Sequence, residues 1–575
     1  MIGAQFNGSE LNQKTIFDHP TGLFVLFFTE MWERFSYYGM RAILVLFLTS
    51  SIMNEGWGWE REDALILYGW YTGLVYFTPL IGGILADKFL GYRNATVMGA
   101  FIMALGHGSM ALEYFADTFF FLGIALLIIG NGLFKPNISS IVGQLYKDDD
   151  IRKDGAYTIF YMGINAGAFL GILLCGYLGE KVGWHWGFGL AGIFMFFGML
   201  QFYFAQSIFG SIGLKPKVKK ESFFNIIFNA LKGLLNGLIY GINNTPKTLY
   251  LVIGLLALAW MAHDSFHWIG YFITTGLLLI VFFGLAFKRN LTTVEWDRIL
   301  VILVFSAATI FFWWAFEQAG GSMTIFANDY TERTLTGDSA AIFKTVNTII
   351  TIVPMLVITY VLFKLFQNIF QKYFVSNFFL GLSFVIIWGI VIWMINKEFS
   401  NEATEIPASW FSVLNSLFII IFAPVFSKIW ASKYNPSGPI KFSIGLILLG
   451  LGFGFLAYGS MSIPYGAQTA SVSIFWLVFA YLFHTLGELC VSPVGLSYVS
   501  KLAPVRLVGL MFGFWLLSSF FANLFGGLTG SYIDIISEKA GLSGFFLIFA
   551  FIPIGAGIVM FLLNGILKKK MHGFN

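Results

Sequence analysis

Long apolar runs separated by short polar breaks dominate this chain of 575 residues. Most runs reach the roughly 20 residues that a helix needs to cross the hydrocarbon core of a bilayer. Hydrophobic residues make up 57% of the chain and charged residues 11%, whereas a soluble domain carries about 25% charged residues. The pattern therefore predicts an all-α polytopic membrane protein. It excludes a nucleic-acid-binding, a disordered or a disulfide-stapled secreted chain.

Sixteen of the runs are candidate membrane spans, with fourteen as the alternative count. A linker with four lysines and an amphipathic stretch, 223–240, separates the sixth span from the seventh. The spans are bounded by polar, Gly or Pro breaks and lie near 21–50, 64–86, 95–115, 118–146, 156–178, 184–207, 247–263, 267–287, 296–326, 340–366, 377–396, 409–431, 439–459, 469–500, 506–532 and 543–567.

The charges of the loops support an even number of spans. If the N-terminus is inside, most basic residues fall in inner loops, and the outer loops keep mostly isolated bases such as Lys181, Arg333, Lys397 and Lys539. This distribution follows the positive-inside rule. We therefore expect both termini to be cytoplasmic. The first twenty residues are polar, so we expect no cleavable signal peptide.

The first span carries a stripe of polar side chains at membrane depth. In the segment FTEMWERFSYYGMR these side chains recur at helical spacings of three and four, so they share one face of the helix. Apolar residues flank the segment on both sides, which places the stripe towards the middle of the membrane. Its members are Glu30, Glu33, Arg34, Tyr37, Tyr38 and Arg41.

Three more charged residues lie inside apolar runs. They are Lys135 in GNGLFKPN, Glu317 after FFWWAF and Glu488 in YLFHTLGELCVSPVG. Because an unpaired charge in a membrane costs about 3 kcal/mol, these side chains and those of the stripe must face one another or water. One interpretation is a set of ion pairs that only fixes helix packing. The set has four acids and three bases, however, and a surplus carboxylate in a low-dielectric cavity can take up a proton.

No catalytic or metal centre is indicated by the sequence. The histidines lack the spacing of a metal site, no phosphate-binding Gly-x-x-x-x-Gly-Lys-Ser/Thr motif occurs, and no Gly-x-Ser-x-Gly motif stands out. We therefore expect no metal and no cofactor. Cys175 and Cys490 lie in apolar runs and are interpreted as packing residues.

A short loop between the second and third spans, GGILADKFLGYR, contains Gly83, Asp87 and Arg93. The glycines permit a tight turn, and Asp87 can accept hydrogen bonds from loop donors. The spacing resembles the inter-helix loop signature of the major facilitator superfamily. We therefore expect these three residues to form a gating loop.

Several stretches together resemble the proton-dependent oligopeptide transporters, the peptide transporter family of that superfamily. They are the Glu-x-x-Glu-Arg-Phe-x-Tyr-Tyr-Gly segment from Glu30 to Gly39, GNGLFKPNISS, DGAYTIFYMGINAGAF, FWWAFEQAGGSM, and GELCVSPVGLSYVSKLAP from Gly487 to Pro504. The resemblance covers both halves of the chain. It implies the major facilitator fold, which has two six-helix bundles. Here about four accessory transmembrane helices are added to them.

The resemblance implies roles for the charged residues. Glu30, Glu33 and Arg34 match the proton-coupling motif of the first helix. Arg41 matches the arginine that pairs with the acid found here at Glu317. All of these, together with Lys135 and Glu488, form the expected proton-coupling set.

The resemblance also implies a peptide site. Lys135 matches a lysine that exchanges between the motif carboxylates, the acid at Glu488 and the peptide carboxylate, and Glu488 is expected to receive the peptide amine. Trp313 and Trp515 match aromatic pockets for the peptide side chains. The full expected set is Arg34, Tyr37, Tyr38, Tyr76, Lys135, Asn165, Trp313, Asn415, Glu488 and Trp515.

Two asparagines compete for the position beside Glu488. The segments KTVNTIITIVPM and SVLNSLFIIIFAPVF each place an asparagine before a proline. The second segment resembles the family pattern better, so the resemblance assigns Asn415 and leaves Asn347 to an insertion.

On this basis the chain divides into five parts. These are an N-terminal six-helix bundle (1–207), a cytoplasmic linker with an accessory helix pair (208–295), the first helix of the C-terminal bundle (296–339), a second accessory pair (340–408) and the remainder of that bundle (409–575). The second pair departs from many bacterial relatives, which carry an extra pair only at the first position. Gly69 is another departure, because animal members have a histidine there; coupling is therefore expected to depend on carboxylates.

The resemblance implies proton-coupled symport of di- and tripeptides into the cell, across a bacterial inner membrane, by a chain that functions as a monomer. The expected partners are the peptides, protons and the lipid bilayer, with no nucleic acid. Three alternatives stay open: a membrane-embedded peptidase or acyltransferase, a receptor that binds peptide without moving it, and a transporter of another solute such as nitrate or a glucoside.

Overall fold

The computed structural model describes residues 6–147, 150–216, 232, 291–504 and 507–573. The predicted accessory pair near 247–263 and 267–287, and the amphipathic stretch before it, lie outside the described residues. The long helices are α1 (Thr21–Thr49), α2 (Arg61–Leu85), α3 (Tyr92–Met110), α4 (Asp117–Gln144), α5 (Lys153–Lys181), α6 (Trp184–Ala205), α7 (Thr293–Phe316), α8 (Gly337–Ile369), α9 (Phe374–Ser400), α10 (Val413–Trp430), α11 (Gly438–Gly459), α12 (Phe475–Leu502), α13 (Val508–Gly530) and α14 (Ile533–Lys570).

Twelve helices in the described parts of the chain are long and apolar enough to cross a membrane. Helices α1 and α3 are not among the twelve. Helix α1 has 29 residues, and all of them except Tyr38 and Thr49 are buried. Because protein rather than lipid surrounds α1, this helix can carry a charged stripe that a lipid-facing span could not.

Several predicted spans differ from the helices of the structure in their ends or their continuity. The span predicted near 296–326 runs from Thr293 to Tyr330, but its helix is interrupted after Phe316 by a 3-10 turn, Glu317–Gly320, before helical turns resume at Ser322. Helix α12 begins at Phe475 rather than near 469, because the residues before it are extended and Val472 pairs with Thr331. Helix α14 begins at Ile533 rather than near 543 and kinks at Gly541, which has a left-handed φ of 74°.

The N-terminal bundle is built around α1. Helix α1 packs on α5 and α6, while α4 packs on α2 and α3. Glycines of α5, four residues apart, allow close contact with α1: an added Cβ would lie 2.1 Å from the Met31 carbonyl oxygen at Gly167 and 2.2 Å from the Phe35 carbonyl oxygen at Gly171. The α1–α5 contact therefore depends on the missing side chains.

The C-terminal bundle consists of α7 and α10 to α14. Helix α7 contacts α11 to α14, α11 also packs on α12 and α14, and α10 packs on α12. The two bundles meet where α2 packs on α13 and α5 on α10. At the first contact, an added Cβ at Gly69 would lie 2.9 Å from the Gly527 Cα atom. A histidine at position 69 therefore does not fit this packing, which gives a physical reason for the glycine.

Helices α8 and α9 follow α7 in sequence but pack on the N-terminal bundle, where α9 contacts α6. The Ser376 hydroxyl donates to the Gln201 carbonyl oxygen at 2.7 Å, and the rings of Phe204 and Phe379 stack with centroids 6.0 Å apart. The chain leaves and re-enters the C-terminal bundle through an antiparallel ribbon of β3 (Thr334–Leu335) and β4 (Thr404–Glu405). A second short ribbon, β1 (Thr15–Ile16) and β2 (His19–Pro20), precedes α1.

Candidate functional site

The stripe on α1 forms a buried ion-pair cluster. The Arg34 Nε atom lies 2.7 Å from Glu30 Oε1 and 2.9 Å from Glu33 Oε2. All three side chains are at most 5% exposed. One arginine thus holds two carboxylates in a low-dielectric environment, where unpaired charges would be very unfavourable.

Helix α4 contributes two polar residues to this cluster. The Asn131 side-chain amide donates to Glu33 Oε1 at 3.0 Å. Lys135, one helical turn further on, lies with its Nζ atom 3.8 Å from the centroid of the Tyr76 ring. The ammonium group is within electrostatic reach of Glu30, Glu33 and Glu317, yet its close contact is a cation–π contact with Tyr76.

A second buried ion pair joins the two bundles. Arg41 of α1 donates to the carboxylate of Glu317, at the end of α7. The Arg41 Nε atom also donates to the Tyr68 hydroxyl at 2.8 Å. Sequence reasoning missed Tyr68, because it is one of 24 tyrosines and no motif marks it.

The carboxylate predicted in the C-terminal bundle has an amide partner. The Asn415 Nδ2 atom of α10 donates to Glu488 Oε2 of α12 at 2.9 Å and to the Thr485 hydroxyl at 3.1 Å. Asn347 lies on α8, which packs with α9 and α1 instead. The structure therefore brings Asn415, and not Asn347, to Glu488.

Two of the predicted tyrosines lie near these charged groups, and the α5 asparagine contacts its own helix. Tyr38 is half-buried and within electrostatic reach of Arg34, Arg41, Glu317 and Glu488. Tyr37 is buried beside it, with ring centroids 5.1 Å apart. The Asn165 side chain donates to the Tyr161 carbonyl oxygen at 2.9 Å. Charged groups of both bundles thus lie near Tyr38.

The two predicted tryptophans occupy different settings. Trp313 of α7 is half-buried and packs edge-on against Phe316 at a centroid distance of 5.0 Å. Trp515 of α13 lies over Gly495 so closely that an added Cβ there would be 2.2 Å from the indole ring. Both indoles belong to the C-terminal bundle.

The predicted gating loop is tied to the segment that follows α6. Arg93 is 5% exposed, and its guanidinium donates to the Gly210 carbonyl oxygen. Its backbone N–H donates to Gly213 at 3.1 Å. Asp87 is exposed, and an added Cβ at Gly83 would lie 4.0 Å from the Pro136 side chain. The loop therefore fastens α3 to the end of α6.

A second cluster between the bundles was not predicted from the sequence. Arg61, at the start of α2, lies 2.7 Å from Asp329 and 2.7 Å from Asp534. Its guanidinium also donates to the Tyr330 hydroxyl at 2.9 Å. The three partners come from the π-helical turn Phe326–Tyr330, which follows α7 in sequence, and from the start of α14, so the cluster closes the bundle interface at the end where α1 terminates. Because Arg61, Asp329 and Asp534 are far apart in sequence, no motif marks them.

Two packed helical bundles with charged groups buried around one internal region define a polytopic membrane transport protein. The POT family model matches residues 93–404 and 383–545. The peptide transporter YePEPT of Yersinia enterocolitica is 34% identical over 90% of this chain and 89% of its own. A di-/tripeptide transporter of Lactococcus lactis subsp. cremoris is 30% identical over 97% of this chain and 98% of its own.

Solved structures agree with these sequence matches. A crystal structure of a mutant of the peptide transporter POT in complex with alafosfalin superposes with a TM-score of 0.73, at 28% identity, over 98% of both chains. The chain belongs to the POT family, the proton-dependent oligopeptide transporters. It is a multi-pass peptide transporter with bacterial relatives, and the family is one of transporters rather than enzymes. The resemblance seen in the sequence motifs is confirmed.

Proposed function

We propose that the protein is a proton-coupled symporter that moves di- and tripeptides into the cell by alternating access. The arrangement of charge around Tyr38 carries this proposal. A zwitterionic peptide has an amine at one end and a carboxylate at the other. The Glu488–Asn415 pair offers an acceptor-rich group on one bundle, and Arg34 with Lys135 offers cations on the other bundle.

In this proposal each end of the peptide has its own partner. Glu488 and Asn415 bind the amine, and Arg34 and Lys135 bind the carboxylate. Aromatic and amide groups make contacts without demanding one side-chain chemistry, which favours selection by peptide length rather than by sequence. Those lining groups are Tyr37, Tyr38, Tyr76, Asn165, Trp313 and Trp515.

The proton acts on the ion pairs. Protonation of Glu33 or Glu30 removes a charge that holds Arg34, and protonation of Glu317 removes the charge that holds Arg41. Breaking a buried pair in this way is strongly unfavourable unless the freed cation finds another partner. Lys135 and Arg34 gain such a partner in the peptide carboxylate, so proton and peptide favour the same rearrangement. The bundles then rock around the midplane site.

The proposed architecture has sixteen spans, with fourteen as the alternative. It comprises two six-helix bundles, a first accessory pair within 208–295 and a second within 340–408. Both termini lie in the cytoplasm of a bacterial cell and the protein functions as a monomer in the inner membrane. The docking of α9 on α6 supports the accessory role of the second pair.

Uptake of labelled dialanine into proteoliposomes tests the function. With an inward proton gradient and a negative interior potential, we expect accumulation that a protonophore abolishes. Accumulation that is indifferent to the protonophore contradicts proton coupling, and binding of dialanine without counterflow indicates a receptor. Competition by nitrate or a glucoside, but not by trialanine, indicates another solute.

A further inference from the structure

On both sides of Asn131, the backbone of α4 packs closely on neighbouring helices through a glycine. At Gly130 an added Cβ would lie 2.8 Å from the Gly99 carbonyl oxygen of α3, and at Gly132 it would lie 2.7 Å from the Thr78 Cβ atom of α2. Both neighbours therefore touch adjacent helices with backbone. Because successive helical residues point about 100° apart, Asn131 faces a third direction, towards α1. There it meets Glu33.

Only the N–H end of the Asn131 side-chain amide is hydrogen-bonded to α1. The residue is 1% exposed, and its Nδ2 atom donates to Glu33 Oε1 at 3.0 Å. Its Oδ1 atom is buried and has no hydrogen-bond partner in the described residues. A carboxylate can only accept hydrogen bonds, whereas a protonated carboxyl group has an O–H that donates, and an amide offers both a donor and an acceptor.

We propose that Asn131 is a positioning residue that holds Glu33 in both of its charge states. When Glu33 is ionised, the amide N–H donates to it, as the structure shows. When one carboxylate oxygen of Glu33 binds a proton, the amide rotates by about half a turn and its orphan oxygen accepts the new O–H. The step adds one proton to Glu33 and exchanges one hydrogen bond for another. This inference rests on the proposed function, in which Glu33 takes up a proton.

Protonation of Glu33 then acts on the charged groups around it. The charged and titratable groups within reach of Glu33 are Glu30 and Arg34 on α1, Lys135 on α4 and Tyr71 on α2. Because Asn131 keeps the Glu33 side chain in place, protonation weakens the contact with Arg34 and the attraction of Lys135 without displacing the carboxyl group. The cations, and not the acid, are then the parts that move.

The experiment is an infrared titration of the full-length protein in lipid. The carboxyl and carboxylate stretches of Glu33 are assigned by their loss in Glu33→Gln. Asn131→Leu removes both hydrogen bonds while keeping the volume similar, and Asn131→Ala is the second variant if the leucine is not accommodated. The matched control is Asn137→Leu: Asn137 is on the same helix and also 1% exposed, but its amide donates to the Leu133 carbonyl oxygen.

For Asn131→Leu and Asn131→Ala we expect both bands of Glu33 to shift, while the proton concentration at half-titration stays within about threefold of wild type, because both states lose a partner. Asn137→Leu should move neither band. A different result overturns the proposal: a shift of the carboxylate band alone, with half-titration at a proton concentration at least about tenfold below that of wild type. That result shows that Asn131 binds Glu33 only in its ionised state. Unchanged bands also overturn it.

The readout separates this inference from the function on which it rests. The titration reports hydrogen bonding at Glu33 whether or not peptide moves. Wild-type dialanine uptake that resists a protonophore would contradict the proposed symport while the two infrared bands still decide the role of Asn131.

Discussion

Arg41 on α1 and Glu317 at the end of α7 form an ion pair that joins the two helical bundles in the buried interior. The Arg41 Nε atom also donates to the Tyr68 hydroxyl at 2.8 Å. Arg41 is therefore held between a carboxylate of one bundle and a phenol of the other. The stability of the Arg41–Glu317 ion pair therefore depends on both Glu317 and Tyr68.

Tyr68→Phe is expected to remove a hydrogen bond from Arg41 while leaving its ion pair with Glu317 in place. Loss of a hydrogen bond to a charged group costs about 1.5–3 kcal/mol, so we expect gradient-driven dialanine uptake to fall about tenfold. Tyr458→Phe is the control, because Tyr458 is 63% exposed. Equal uptake by both variants and wild type would show that the Tyr68 hydroxyl does not support Arg41.

Glu33→Gln is expected to abolish gradient-driven uptake but to spare dialanine counterflow at equal pH on both sides. The neutral amide mimics the protonated acid, so the transporter can still exchange peptide but can no longer gain from the proton gradient. Measuring both modes in the same proteoliposomes checks this. Loss of counterflow as well would assign Glu33 a structural role, and Glu332→Gln, at an exposed acid, should leave both modes unchanged.

Glu488→Ala is expected to weaken dialanine binding more than binding of its des-amino analogue. The variant removes the acid that accepts from Asn415 at 2.9 Å and that we propose as the partner of the peptide amine. A charged hydrogen bond contributes about 1.5–3 kcal/mol, so the affinity for dialanine should drop about tenfold or more. Equal losses for the two ligands, measured by competition binding, would remove the assigned role.

Gly69→Ala is expected to destabilise the contact between the bundles. An added Cβ would lie 2.9 Å from the Gly527 Cα atom, and overpacking of this kind costs about 1–3 kcal/mol. Gly454→Ala is the matched control, because nothing lies within 4 Å of a Cβ added there. Thermal unfolding in detergent should show a lower midpoint for Gly69→Ala only. Equal midpoints would show that α2 and α13 move apart enough to accommodate the added methyl group without loss of stability.

Chemical cross-links should distinguish the contact that the Phe326–Tyr330 turn makes with α2 from the contact that α9 makes with α6. Linking Arg61→Cys to Asp329→Cys with a bifunctional thiol reagent should block uptake, because this link holds the two bundles together. Linking Phe204→Cys to Phe379→Cys should not, because α9 and α6 are expected to move as one body. The native Cys175 and Cys490 are buried and should not compete for the reagent. A block by both links would contradict joint movement.

Part of this site could be predicted because its residues are close in sequence. The positions of Glu30, Glu33 and Arg34 on one helical face follow from spacings of three and four. Their depth in the membrane follows from the apolar residues around them. Lys135, Glu317 and Glu488 stood out for a related reason, because a charge in an apolar run is costly and must have a function or a partner.

The partners themselves were decided by the tertiary structure. Nothing local distinguishes Tyr68 from other tyrosines, and nothing in the GNGLFKPN segment shows that Asn131 meets Glu33. Arg61 meets Asp534 only because the chain folds back over more than four hundred positions. Lys135 could pair with several carboxylates, and packing places it over Tyr76 instead.

The packing of α8 and α9 shows the same difference between what the local sequence predicts and what tertiary contacts decide. Their apolar sequences determined that both helices are membrane spans, since twenty or more apolar residues have few other stable environments. Which bundle they join depends on side chains such as Ser376 and Phe379 meeting α6. The sequence alone therefore determined the membrane environment and the buried charges, because hydrophobicity and helical spacing are local properties. Only the tertiary structure decided which groups pair, because contact between distant helices depends on their complementary shapes.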